Sequence, residues 1–284
     1  MNSCLILLNG SIQNDSRVIR QANACSKHFI TTITSVEGQN YKRPVSLKKD
    51  IKINKIKYRN FFINKIYKHS LIHKEYMFII KDIINQEKVY DLVIANDLPT
   101  LAPAFKLKRN KLVKYVLYDS HEIYTETIEQ FFPNINNYSI LKKIFVRFLI
   151  LIMKKSSSFF EKKYIKKCNE VITVNNSLSN HLKEKYYIYK PKVIRNISVR
   201  YNNKREKKSN ISSKFGWDQN SIIFIYQGLI AKDRGIFSAV KILKQLSNEF
   251  KLLIIGNGNA KNDLKNYVSK QNLKHRVKIL DAVE

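Results

Sequence analysis

Glycine and proline are scarce, seven and five in 284 residues, which excludes collagen-like, Gly/Ser-linker and Pro-rich low-complexity chains. Cysteine is scarcer still. Cys4, Cys25 and Cys168 are odd in number, far apart and without metal-ligand spacing, so neither a disulfide framework nor a zinc finger is expected and a reducing cytosol fits. Long apolar runs are missing as well. The N-terminus has no basic segment and only Leu5 to Leu8 as consecutive strongly apolar residues, too few for a signal peptide. The most apolar stretch, Ile144 to Met153, is ten residues interrupted by Arg147, against ~20 for a bilayer-spanning helix. Acidic residues are few: 22 Asp plus Glu face 52 Lys plus Arg, for a net charge of +30.

Apolar residues are plentiful. Hydrophobic side chains make up 44% and aromatics 11% of the chain, too many for a disordered protein even at this charge. The length suggests two domains at roughly 150 residues each. Nucleic acid is the obvious partner for so basic a chain. Against it, the cations are spread along the sequence, no helix-turn-helix or RNA-binding aromatic signature is present, and the wealth of Lys, Ile and Asn reads as background composition.

Short β-branched runs alternate with segments of helical periodicity, the pattern of βαβ units and a mostly parallel sheet. Strands are predicted at 5–8, 30–35, 51–58, 90–95, 112–117, 171–174 and 192–197. Helices are predicted from about residue 15, over 72–83, over 139–167 and from about residue 177. Residues 199–220 read as a basic linker between a domain at 1–198 and a partial one at 221–284. In the latter, strands at 222–227, 252–255 and 277–280 alternate with helices at 235–248 and 260–268. The fold class expected is α/β, with two Rossmann-like parallel-sheet domains, the second incomplete.

In open α/β sheets ligands collect at the carboxyl ends of strands. Four such ends are polar: Asn9-Gly10 to Asp15, Asn96-Asp97, Asp119 to Glu122, and Gly228 to Gly235. Asp15 and Asp97 read first as helix caps, Asp97 with Pro99 in the following turn. Residues 119–129 hold Asp119, Glu122, Glu126 and Glu129 with no Lys or Arg. Such an island beside His121 can hold sugar hydroxyls or tune the histidine, or can simply be acids at the positive end of a helix. Between Gly228 and Gly235, Lys232 and Arg234 sit ahead of a helix N-terminus, an anion site suited to a diphosphate. Gly256 and Gly258 form a second Gly turn after a strand, a weak signal alone.

Five pieces in order carry a resemblance: Asn14-Asp15-Ser16-Arg17-Val18, Tyr118-Asp119-Ser120-His121-Glu122, Glu161 leading into Val171 to Val174, Val193-Ile194-Arg195-Asn196, and Gly228 to Gly235 followed by Ile254-Ile255-Gly256-Asn257-Gly258. Together they resemble a family 4 retaining glycosyltransferase of the GT-B fold. The resemblance implies an acceptor-side first domain, a second domain for the nucleotide-sugar donor, reaction in the cleft, and no metal or other cofactor. It implies His121 near the donor sugar, with Asp119 and Glu122 shaping the pocket. It also implies donor contacts from Gly228, Lys232, Arg234, Gly235, Gly256 and Gly258, and substrate contacts from Gly10, Asp15, Arg17, Asn96, Asp97 and Asn196. The family's usual Arg directly after the first Gly is Leu229 here. The family also continues past the strand at 277–280 into a Glu-containing loop and helix that grip the donor, so a donor domain cut short is expected.

The activity implied is transfer of a sugar to a glycan or lipid-linked acceptor in surface polysaccharide or glycoconjugate synthesis, in the cytoplasm. The inner face of the cell membrane is a further expected location, because nine Lys or Arg and one Glu lie between Lys142 and Lys167 around the apolar run, and a basic amphipathic helix can lie on an anionic bilayer. A core helix with a solvated basic face is the plain alternative. Readings of another class stay open: a noncatalytic remnant or scaffold that binds glycan or anionic membrane, and, with less support, nucleic-acid binding.

Overall fold

The computed structural model describes residues 2–38, 41–57, 80–81, 83–85, 88–132, 135, 138–197 and 211–283. The chain divides into two compact units, Met1–Ser198 and Val199–Glu284.

The first unit is a seven-stranded parallel sheet: β1 (Ser3–Leu8), β2 (Ile30–Glu37), β3 (Lys52–Lys57), β4 (Tyr90–Asn96), β5 (Val113–Ser120), β6 (Glu170–Thr173) and β7 (Lys192–Val193), in the order β3-β2-β1-β4-β5-β6-β7. Chain order reverses at β1, so β1 and β4 are neighbours and their carboxyl ends flank a topological switch point, where such sheets hold ligands. β1 is central and buried on both faces, which is why it reads as an unbroken apolar run. Its alternation splits it between two cores. Leu5 and Leu7 join one with Val93, Val116 and Tyr118, while Cys4, Ile6 and Leu8 join the other with Val18, Ile19 and Ala22.

Helix α1 (Ser16–Cys25) begins where its sequence says it should: Asp15 is the N-cap, its carboxylate accepting from the Val18 amide at 3.0 Å. Helices α2 (Leu101–Arg109), α3 (Ile140–Ile165) and α4 (Asn176–Tyr186) cover the first core, through Leu101, Ala104 and Phe105, through Val146, Ile150 and Ile165, and through Leu178 and Leu182. Buried in the same layer, Glu161 of α3 accepts hydrogen bonds from the Tyr118 hydroxyl at 2.8 Å and the Tyr186 hydroxyl at 2.5 Å, tying α3 to β5 and α4.

The second unit is a three-stranded parallel sheet, β8 (Ile222–Gln227), β9 (Phe250–Ile255) and β10 (Val277–Leu280), ordered β10-β9-β8. It is covered by α5 (Ile236–Leu243) and α6 (Lys261–Lys270), whose Val240, Leu243, Leu264 and Val268 form its core with Leu252 and Ile254. Among the described residues β8 pairs only with β9, and its Ile222, Phe224 and Ile225 are exposed.

Several expectations need correction. The basic segment expected to remain a linker to residue 220 is folded from Ile211: Ile211–Lys214 forms a helical turn, and Trp217 is buried with its indole N–H donating to the His275 carbonyl at 2.9 Å. The helix expected over 235–248 stops at Leu243, because Gln245 and Leu246 bond three residues back instead of four, and the buried Arg276 guanidinium takes the Leu246 and Ser247 carbonyls. β5 runs to Ser120 rather than Leu117, since Asp119 and Ser120 pair with Asn96 of β4 and with Ile172 and Thr173 of β6. The strand expected over 192–197 pairs only at Lys192 and Val193. Residues 72, 76 and 79 of the helix expected over 72–83, residue 58 of the third strand and residues 199–210 of the linker lie outside the described residues.

Candidate active site

The register of β4 against β5 assembles the site in the first unit. Asn96 pairs with Asp119, so Asp97 and His121, each just past its strand, become neighbours although 24 residues apart. The His121 ring Nδ1 lies 3.1 Å from Asp97 Oδ1, and the His121 amide donates to the same oxygen at 3.3 Å. On the other side Nε2 sits 2.9 Å from Asp119 Oδ1, at ion-pair distance but without the alignment of a hydrogen bond. The imidazole is 5% exposed. Burial favours the neutral ring, but the flanking Asp119 and Asp97 outweigh it and raise the histidine pKa from 6.5 to about 9. At neutral pH His121 is therefore an imidazolium clamped between two carboxylates.

A chain of amide side chains holds Asp119. Gln21 of α1 donates to Asp119 Oδ2 at 2.7 Å and accepts from Asn96 Nδ2 at 3.3 Å, and Asn96 also donates to the Leu7 carbonyl at 3.3 Å. Sequence reasoning missed Gln21, which carries no local signal and reaches the site only because α1 packs over the β1–β4 switch point.

Asp97 is not the helix cap expected. Its side chain makes no capping bond, and Thr100 instead bonds back to the Asn96 and Asp97 carbonyls. Its φ is +61° with ψ 164°, an extended positive-φ conformation that is almost confined to glycine and that an aspartate adopts at a cost. With its carboxylate on His121 and 24% exposed, Asp97 is the part of the triad that solvent reaches, and strained backbone of this kind gathers at functional sites.

The acidic island does not act as a unit. Glu126 and Glu129 both pair with Lys154 of α3, at 3.0 and 2.7 Å. Asp119 belongs to the histidine network, and Glu122 stands beside it at the surface, its carboxyl pushed up by partial desolvation and by Asp97 and pulled down in part by the Thr127 hydroxyl, His121 and Arg17. Asp15 is occupied as a cap and lies 3.4 Å from the Arg17 guanidinium. Gly10 sits in the loop after β1, its carbonyl accepting from the Val36 amide. That loop is anchored by the buried Glu37, whose carboxylate accepts from the Ser11 hydroxyl, the Ile12 amide and the Ser35 hydroxyl. Asn196 accepts a hydrogen bond from Arg20 of α1, a second residue the sequence did not signal.

In the second unit, Gly235 is in the left-handed conformation and is the N-cap of α5, leaving the first α5 amides without intrahelical acceptors. Arg234 immediately precedes it, exposed and with no ion-pair partner among the described residues. Lys232 is paired with Asp263 at 2.9 Å on the surface. The glycines bring two loops into contact. A Cβ on Gly256 would stand 1.8 Å from the Gly228 carbonyl oxygen, and one on Gly258 would stand 2.1 Å from that of Ile230. Hydrogen bonds from the Gly228 amide to the Ile255 carbonyl and from the Ile230 amide to the Asn257 carbonyl close the same contact, both at 3.0 Å. Lys261 then ties the strand ends together, reaching Asn257, the Leu280 carbonyl and Asp281 at 2.9, 3.4 and 2.6 Å.

This second unit coincides with a family match: residues 207–284 fit the model described as "Glycosyl transferases group 1". The whole chain is similar in fold to HepE of Anabaena, solved with UDP-glucose, at 13% identity and a TM-score of 0.64 over 100% of this chain and 70% of that one. It is similar to a sucrose-phosphate synthase from Thermosynechococcus elongatus, at 11% identity and a TM-score of 0.69 over 100% of this chain and 71% of that one. A third similar structure is WaaG, described as a glycosyltransferase involved in lipopolysaccharide biosynthesis, at 12% identity and a TM-score of 0.64 over 99% of this chain and 70% of that one. No curated protein matches the sequence. The fold is that of the GT-B glycosyltransferases, two Rossmann-like α/β units.

Proposed function

We propose that this chain transfers a sugar from a nucleotide-diphosphate donor to a glycan or lipid-linked acceptor hydroxyl, with retention of configuration, as a family 4 enzyme of surface glycan synthesis. The observation that carries the reading is the group 1 match over the segment in which Arg234, free of an ion-pair partner among the described residues, stands at the start of α5.

The bond that breaks joins the anomeric carbon to a diphosphate oxygen, and negative charge grows on that oxygen. The Arg234 guanidinium and the first α5 amides offset that charge, and Lys232 assists by exchanging Asp263 for phosphate. Gly228, Gly235, Gly256 and Gly258 keep this loop pair compact enough for the diphosphate to reach the backbone. The acceptor hydroxyl forms the new bond on the same face, its proton passing to the departing diphosphate. No metal is needed where a guanidinium and helix amides carry the charge.

In the first unit, Asp97 and Glu122 meet sugar hydroxyls, because they are the solvent-reached carboxylates nearest His121 that neither cap a helix nor pair with a lysine. His121 and Asp119 act behind them as positioning residues, with Asn96, Arg17, Asp15, Gly10 and Asn196 shaping the surrounding surface. Donor consumption by the purified chain tests this reading: Arg234→Ala should lower turnover sharply with the fold intact, and unchanged turnover would sink the assignment.

A further inference from the structure

Helix α3 presents an apolar face to solvent. Val146, Ile150, Ser157, Glu161 and Ile165, spaced by four, seven, four and four residues, form its buried side. On the opposite side Leu141, Ile144, Phe145, Phe148 and Phe159 are each 60–82% exposed. A surface helix normally turns such residues inward, and a contiguous exposed patch of this kind marks an interaction surface. The second observation is charge. Lys142, Arg147, Lys155, Lys162 and Lys163 are exposed along the same helix, and its one acid, Glu161, is buried among tyrosines. The free surface of α3 therefore combines aromatic and aliphatic anchors with cations and no acidic group. Another copy of a chain with net charge +30 would bring like charges together there.

We propose that α3 lies flat on an anionic phospholipid bilayer, its outward Leu, Ile and Phe side chains in the acyl boundary and its Lys and Arg ends against lipid phosphates. Lying flat agrees with its composition: among the described residues no helix is long and apolar enough to cross a membrane. The surface belongs wholly to the first unit, and the proposal stands apart from sugar transfer.

Flotation of the purified chain with phosphatidylcholine vesicles, alone and mixed equally with phosphatidylglycerol, tests it. Binding to the mixed vesicles is expected, weakening as salt rises. The variant Phe145→Ser/Phe148→Ser should bind more than about tenfold more weakly, because two buried aromatics are lost from the lipid contact. Arg147→Gln and Lys155→Gln should each weaken binding about fivefold. All these side chains are exposed, so far-UV circular dichroism and thermal unfolding should be unchanged. Equal flotation of the wild type and the double Ser variant would overturn the proposal. So would salt-indifferent binding to neutral vesicles, or a wild-type dimer that the double Ser variant converts to monomer.

Discussion

Raising the pH should strip a proton from the centre of the first unit and weaken that unit with it. The His121 imidazolium is held at a pKa of about 9 because Asp119 and Asp97 outweigh the cost of burial, whereas in the unfolded chain it titrates near the ordinary histidine value of about 6.5. Each tenfold gain in proton affinity is worth about 1.4 kcal/mol, so the proton contributes on the order of 3 kcal/mol to the folded state. The folded pKa lies above the unfolded one. The contribution is therefore complete below pH 6.5 and is lost as pH rises through about 9. Urea unfolding across this window measures it, provided the probe reports on the right unit. Trp217 is the only tryptophan and lies in the second unit, so the signal should be amide exchange in β1, β4 and β5. Comparison with His121→Gln cancels the titration of other groups. The stability gap between wild type and variant should close by about 3 kcal/mol between roughly pH 6 and pH 10. A gap independent of pH, or a histidine resonance of residue 121 titrating near its unperturbed value, would refute the reasoning.

Three further outcomes follow from the same geometry. Arg234→Ala should reduce donor turnover by about 10²–10³, the usual effect of removing one charge-stabilising donor, with no change in the unfolding of either unit. Gly256→Ala drives a methyl group into the Gly228 carbonyl and should destabilise the second unit by several kcal/mol, on the order of other severe steric substitutions, read from the fluorescence of Trp217. Glu161→Ala leaves the Tyr118 and Tyr186 hydroxyls buried without their acceptor and should cost about 2–5 kcal/mol in the first unit, whereas Glu161→Gln should recover much of the loss by accepting from one of them.

What the sequence disclosed and what it hid divide along the range of the interaction. Leu5 to Leu8 announce a strand buried on both faces because parallel-sheet burial needs an unbroken apolar run. Asp15 announces a helix start because capping acts over three residues. Gly235 announces the α5 N-terminus because a left-handed residue there favours glycine. The Asp97–His121–Asp119 cluster was legible only as separate pieces, since it exists through the pairing of β4 with β5, which no local pattern encodes. Local reasoning accordingly made Asp97 a cap when tertiary geometry had already committed its carboxylate to His121. Gln21, Arg20 and Lys261 are polar residues on helices, indistinguishable from solvated surface until topology brings a partner. Glu126 and Glu129 misled in the opposite sense: a dense acidic run drew attention, yet Lys154 of α3 accounts for both.

The central claim is the proposed one, that this chain binds and spends a nucleotide sugar. Incubating the purified chain with a panel of nucleotide-diphosphate sugars, with glycan and lipid-linked acceptors, and recording nucleoside diphosphate release and the anomeric configuration of the product tests it most directly. The account predicts release with one donor class, a product of retained configuration, and loss of both in Arg234→Ala. A natively folded chain that consumes no nucleotide sugar would contradict the transferase reading, and an inverted product would contradict retention.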